Sequence, residues 1–318
     1  MTRRPLLALA ATAVAAAAGG LTAAATGVSV AQVSAPPGVP PSGPSPTSTD
    51  TAPTTPSTPT TDTTPTTHTT PAAPRVPGPC HRTRPRLLCP DLIMSAPSHL
   101  ELDRRTHRGR VLLRAASSLD NRGAGPLELH GRRNTGHTMR VSQAIYDRQG
   151  RRHLFATRAR LVFKYVSGDR YTVGNVGSAD YWKMHLAASF QLWSIDRHHH
   201  AVRQVRTGPK LDYCLRDLFR THPSARSPRS RVYPGCNQSP RIHRDVLGTS
   251  VGWSDVYPYE YPEQWIDVTG LRGHFAYVQI ADPNGLLFER NHTNNLSETY
   301  ISLPSGKVLG HRVGVAAP

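Results

Sequence analysis

Past its N-terminal Ala/Leu/Val run, the chain lacks any stretch of ~18 consecutive apolar residues, which argues against a later helical membrane span. It has no Cys-x-x-Cys spacing, which argues against a zinc site. Gly-x-Ser-x-Gly, His-Glu-x-x-His and P-loop patterns are missing too, so none of those catalytic signatures supplies a function. Acidic residues are scarce: 21 Asp and Glu face 38 Lys and Arg, leaving a formal net charge of +17. A field of that size attracts polyanions without identifying one. No recognisable nucleic-acid motif accompanies it. The expected partner is therefore an anionic cell-wall polymer or an acidic protein surface, beside the plainer reading that the charge serves solubility.

What is present begins with an export signature. Arg3 and Arg4 precede an apolar run from Leu6 to Ala18, and Ser29 and Ala31 stand in the relation a signal peptidase favours. Residues 1–31 are expected to be a signal peptide, with an uncleaved anchor as the alternative. The mature protein is then secreted or at the cell surface, without a membrane span. Residues 32–79 are almost only Pro, Thr, Ser, Ala and Gly. Such a segment has too few apolar side chains to offset its ordering entropy, so it reads as a disordered stalk. Residues 80–318 are long enough for one domain with a real core. Cys80, Cys89, Cys214 and Cys236 form an even set in an exported chain, which favours two disulfides. Of the three pairings four cysteines allow, sequence proximity favours Cys80–Cys89 with Cys214–Cys236.

Within the domain, apolar residues alternate with a period of two far more often than 3.6. Arg110–Ala116, Met139–Tyr146, Arg160–Val166, Gln264–Val268, His274–Ala281 and Glu298–Leu303 read as strands. Turn residues at 121–123, 147–150 and 282–285 separate them. The last turn, Asp282-Pro283-Asn284-Gly285, predicts a hairpin between Phe275–Ile280 and Leu286–Glu289. Cys214–Ser239, rich in Arg, Pro and Ser, reads as a long loop pinned by its cysteines. The fold predicted is all-β, an antiparallel sandwich or barrel with long loops and little helix.

Several separated stretches, in order, resemble the lysyl oxidase family. They are Pro90-Asp91-Leu92, Arg110–Asn121, Gly123–Glu128, KLDYCLRD at Lys210–Asp217, GWSDVY at Gly252–Tyr257, QWIDV at Gln264–Val268 and DPNGLLFERNHTNN at Asp282–Asn295. The resemblance covers roughly Cys89 to Leu303. It implies the catalytic-domain fold of copper amine oxidases that turn primary amines, such as peptidyl lysine, into aldehydes with release of ammonia and hydrogen peroxide. Those enzymes use Cu(II) and a lysyl tyrosylquinone made from their own side chains. By the same resemblance, Lys210 and Tyr257 stand at the two positions that become the quinone.

The family's copper motif is His-x-His-x-His on a strand, where alternation puts three imidazoles on one face. Anchored on Phe190-Gln191-Leu192-Trp193, those positions fall on Ala179, Tyr181 and Lys183. Alternation predicts one continuous strand, with Trp182, Met184, Leu186, Ala188, Phe190 and Leu192 on an apolar face. Tyr181, Lys183, His185, Ser189 and Gln191 share the polar one. A slip by two residues brings in only His185. The run His198-His199-His200 follows Asp196-Arg197 in a predicted polar turn, and consecutive strand residues point to opposite faces, so it makes a poor copper site.

The resemblance also implies a structural calcium. Its ligands would be Asp91, the Leu92 carbonyl, Glu289, Asn291, Asn294 and Asn295, with Asn291 replacing an acid. The competing reading is that the asparagines only shape a turn. Two functions follow from different classes. One is a stalked binding or structural module that keeps the fold without redox chemistry. The other is a divergent copper- and quinone-dependent amine oxidase.

Overall fold

The computed structural model describes residues 78–81, 86–166 and 179–315. The predicted signal peptide, and the stalk up to residue 77, lie outside the described residues. Apart from a short 3-10 turn at Pro79–His81, the regular structure among the described residues is all strand. In chain order these are β1 Leu87–Leu88, β2 Leu92–Met94, β3 Leu100–Asp103, β4 Leu112–Ala115, β5 Ser117–Asn121 and β6 Leu127–Arg133. Then come β7 Thr138–Asp147, β8 Arg152–Val166, β9 Ala179–Met184, β10 Ala188–Ile195, β11 Ala201–Thr207 and β12 Arg244–Thr249. The last are β13 Ser254–Tyr257, β14 Trp265–Asp267, β15 Gly273–Ala281, β16 Leu296–Leu303 and β17 Lys307–Val315. Among the described residues no helix is long and apolar enough to cross a membrane.

Every strand pair is antiparallel. One sheet runs β12-β6-β7-β8-β9, with β1 against β7; a second runs β11-β10-β15-β16-β17. Two small sheets, β13-β5-β2 and β14-β4-β3, complete the fold. Period-two alternation explains the core. Met139 and Val141 of β7, Leu161 of β8, Phe275 and Tyr277 of β15 and Ile301 of β16 turn inward to one apolar cluster. The alternate residues of β15, Ala276 and Val278, pack with Leu296 and Tyr300 on the sheet's other face. The predicted disulfides form, with Cα–Cα distances of 5.8 Å for Cys80–Cys89 and 5.3 Å for Cys214–Cys236. Gly125 is required by a close approach: a Cβ there would collide with the Leu88 carbonyl.

Two expectations from the sequence are corrected. The first is the continuous strand through 179–192. The chain leaves the six-stranded sheet after Met184, turns at 185–187 with Leu186 at φ 58°, and enters the five-stranded sheet at Ala188. The Asp212 carboxylate holds this corner, accepting from the Leu186 N–H (3.2 Å) and lying 2.9 Å from His185 Nδ1. Trp182, Met184, Phe190 and Leu192 still join one core, but Leu186 sits half-exposed at the corner. Lys183, on the polar face, is buried.

The second is the hairpin. The next strand after β15 is β16, which pairs with it, and residues 286–289 form no strand. Their backbone groups are taken by side chains instead. Asp282 accepts the N–H groups of Leu286 (2.8 Å) and Leu287 (2.9 Å), while Gln143 binds both the N–H and the carbonyl of Phe288.

Candidate functional site

The segment Lys210–Leu215 runs beside β9 through paired backbone hydrogen bonds between Met184 and Tyr213 (2.8 and 3.2 Å). Those bonds set Lys183 and Lys210 in the same neighbourhood. β13 ends there on Tyr257, and the following turn returns Tyr261, Glu263 and Gln264 to it. The result is a buried aromatic cluster. Tyr257 lies edge-on to both Tyr213 and Tyr261, each with centroids 4.7 Å away. The Tyr257 hydroxyl accepts the Cys214 N–H at 3.1 Å, and the Tyr213 hydroxyl shares a 2.6 Å hydrogen bond with Ser117.

Lys210 is fully buried against this cluster. Its Nζ lies 3.7 Å from the centroid of the Tyr257 ring, donates to the Asp212 carbonyl at 2.6 Å and is 3.8 Å from Glu263. The two residues assigned to the quinone by resemblance are therefore in contact.

Lys183 enters from the opposite strand. Its Nζ donates to the Tyr261 hydroxyl at 2.9 Å and lies 5.6 Å from the Tyr257 centroid. Lys164 of β8 completes the group, bonded to Asp212 (3.1 Å) and Glu263 (2.7 Å). Sequence reasoning missed Lys164, Asp212, Tyr213, Asp255, Tyr261 and Glu263. One signal could have found the lysines. Among 38 Lys and Arg the chain has only four lysines, and three of them meet here.

The electrostatics follow from burial. Burial pushes Lys210 well below the ordinary lysine value, and the Lys183 charge pushes the same way. Burial lowers Lys183 to about 8, with Glu263 and Asp255 opposing. Burial raises the Asp255 carboxyl to about 6, against the pull of Arg216 and Lys210. Burial also works against the Asp212 charge, but Lys164 and His185 more than offset it and hold this carboxyl below its usual range. Tyr257 is raised well above the phenol range by burial and by the Asp255 charge, so the phenol is held protonated.

A cavity of about 640 Å³ opens onto this cluster, lined by Tyr181, Lys183, Arg216, Phe219, Tyr257 and Tyr261 among others. His99 stacks on Tyr259 at its mouth, ring centroids 3.9 Å apart.

The residues present do not fit copper. At the three positions that the resemblance assigns to copper stand Ala179, a tyrosine with its ring 5.9 Å from Lys183 Nζ, and Lys183 itself. An amine at that spot, once protonated, repels a metal dication. Two unit charges 4 Å apart interact by about 4 kcal/mol at an effective dielectric of 20, and the dication doubles it. His185 belongs to the corner and is committed to Asp212. His198 and His200 are exposed, and their backbone N–H groups are bound by Asp196; His199 stacks on Tyr300 at 4.5 Å. The contact of Lys210 with the Tyr257 ring suits a quinone, but the neighbouring side chains do not suit the metal that would accompany it.

The predicted calcium residues come together only in part. Glu289 accepts the Leu92 N–H at 2.9 Å and the Asn295 amide at 2.7 Å, and Asn294 donates to Asp91 at 3.1 Å. Leu92 thus meets Glu289 through its N–H, whereas its carbonyl was the expected ligand. Asn291 caps its own turn by accepting from Thr293. The Oδ1 atoms of Asn294 and Asn295 are buried with no hydrogen-bond partner among the described residues, which suits a cation. Asp282 and His292, both missed, place ligand atoms within 4.8 Å of Glu289 and of each other.

Residues 156–311 match the family model described as lysyl oxidase. No curated protein matches the chain in sequence.

Proposed function

The chain belongs to the lysyl oxidase family, and on that premise we propose that it is an exported binding module that keeps the fold without copper-dependent amine oxidation. The observation that carries this reading is Lys183. It fills the third copper position with a buried amine bonded to Tyr261, where the family places an imidazole. Metal analysis and peroxide release test it together on the purified secreted chain. No bound copper and no peroxide from primary amines after copper loading is the expected result. One equivalent of copper with amine-dependent peroxide would overturn it, and would instead favour the divergent amine oxidase. The contact of Lys210 with the Tyr257 ring is the observation on that side.

A basic cleft supports an anionic partner for the module. Arg86, Arg148, Arg226 and Arg290 line a cavity of about 320 Å³, and Arg122, Arg226 and Arg290 line a neighbouring one of about 490 Å³. Among the described residues no carboxylate lines either cavity. Guanidinium forks suit the phosphates or carboxylates of a cell-wall polymer. A structural calcium held by Asp91, Asp282, Glu289, Asn294 and Asn295 would tie the first strands to the 282–295 loop. The buried amide oxygens are its support.

A further inference from the structure

We propose that Lys183 is a covalent carbonyl-binding residue, which captures an aldehyde from the tyrosine-lined cavity as an imine. The three clustered lysines are placed differently. Lys164 is ion-paired with Asp212 and Glu263, and Lys210 is sealed beneath Tyr257 with Glu263 at 3.8 Å. Lys183 lines the cavity and has a phenol as its hydrogen-bond partner; no carboxylate reaches it within ion-pair distance among the described residues. A buried amine without a counter-ion favours its neutral form, because desolvation penalises the ammonium. The Lys164 charge acts in the same direction, while the Glu263, Asp255 and Asp212 charges oppose it.

The groups facing Lys183 are Tyr181 on its own strand, Tyr257 and Tyr261 across the cavity, and Lys164, Lys210, Asp212, Asp255 and Glu263 around it. With a value near 8, about half the Lys183 side chains are neutral at pH 8. An ordinary exposed lysine is neutral to less than about 1% there, a difference on the order of a hundredfold.

The step balances without an oxidant. The neutral Nζ attacks the carbonyl carbon, the C–N bond forms, and the carbonyl oxygen leaves as water with both amine hydrogens. The Tyr261 hydroxyl, which accepts from Nζ at 2.9 Å, is placed to relay an amine proton to the departing oxygen. The walls choose the ligand. Tyr181, Tyr257 and Phe219 suit a flat apolar body, and Arg216 suits a carboxylate on its far end.

The test is reductive trapping on the full secreted chain after chelator treatment, so that copper plays no part. 4-Carboxybenzaldehyde and sodium cyanoborohydride are added at pH 8, and the four lysines are compared by peptide mapping. The expected result is one adduct on Lys183, formed at least tenfold faster than on Lys307 and absent from Lys210. Benzaldehyde should label Lys183 more slowly. The variant Lys183→Arg should lose the fast adduct. Labelling of Lys307 at the same rate as Lys183, or labelling of Lys183 only in denaturant, would overturn the proposal. Both comparisons use the wild-type chain, so a variant that fails to fold does not blunt them. Peroxide release reads the copper question separately.

Discussion

Replacing Lys183 by methionine removes a buried amine while keeping its length and flexibility. The ordinary lysine value of 10.5 falls to about 8 in the fold. Each tenfold change in proton affinity is about 1.4 kcal/mol, so the fold disfavours the ammonium by about 3 kcal/mol. The sign follows from proton counts. Between pH 8 and 10.5 the unfolded chain holds the Lys183 proton and the native chain has lost it, so wild-type stability rises with pH across that window. Below pH 8 both states bind the proton and the full penalty applies. Lys183→Met removes that penalty but also a hydrogen bond to Tyr261, which contributes about 1 kcal/mol. The variant should therefore be about 2 kcal/mol more stable at pH 7, with Tm higher by roughly 4–8 °C. The advantage should shrink as pH rises towards 10. Thermal and urea melts of both proteins between pH 7 and 10 read this directly. Asp255, raised to about 6, titrates below the window and does not interfere. A variant less stable than wild type at pH 7, with a difference that does not change with pH, would refute the reasoning. It would mean that the ammonium is satisfied in place.

Other outcomes follow from the same structure. Saturating Ca²⁺ at 100 times its Kd should add about 2.7 kcal/mol to stability, seen as a higher Tm. Asn295→Ala should abolish that shift, because it deletes a buried amide oxygen and the contact with Glu289. Gly125→Ala should destabilise by about 2 kcal/mol or more in a denaturant melt, since its Cβ meets the Leu88 carbonyl, which is backbone and cannot yield cheaply. Arg226→Glu with Arg290→Glu should weaken binding of inorganic polyphosphate at least tenfold by titration calorimetry and flatten its salt dependence. Arg229→Glu, outside the cleft, should not.

The residues alone determined the fold class and the cysteine pairing. Period-two alternation needs only the side-chain order along the chain: the strands read from it match β7 and β15 to within a residue at each end, while the one read at Arg160–Val166 is only the last part of β8, which begins at Arg152. Cys80 and Cys89 are close in sequence, as are Cys214 and Cys236, so nearness along the chain sufficed there as well. Lys210 and Tyr257 were legible through their flanking motifs, though their 3.7 Å contact was not. That positions 179, 181 and 183 hold no imidazole is likewise read from the sequence alone.

Only the tertiary structure decided what took their place. Alternation carried a single strand through Leu186, because local pattern cannot register that Asp212, 26 residues on, binds the Leu186 N–H and turns the chain into another sheet. The 282–285 turn misled in the same way, since Asp282 and Gln143 satisfy the backbone that a hairpin partner would have bound. Lys183 was read only as one residue of a polar strand face. Its burial depends on Tyr257 and Tyr261, more than seventy residues away, closing over it. A charged residue's environment is set by what packs against it from elsewhere in the chain, and here that packing makes Lys183 a buried amine beside a cavity.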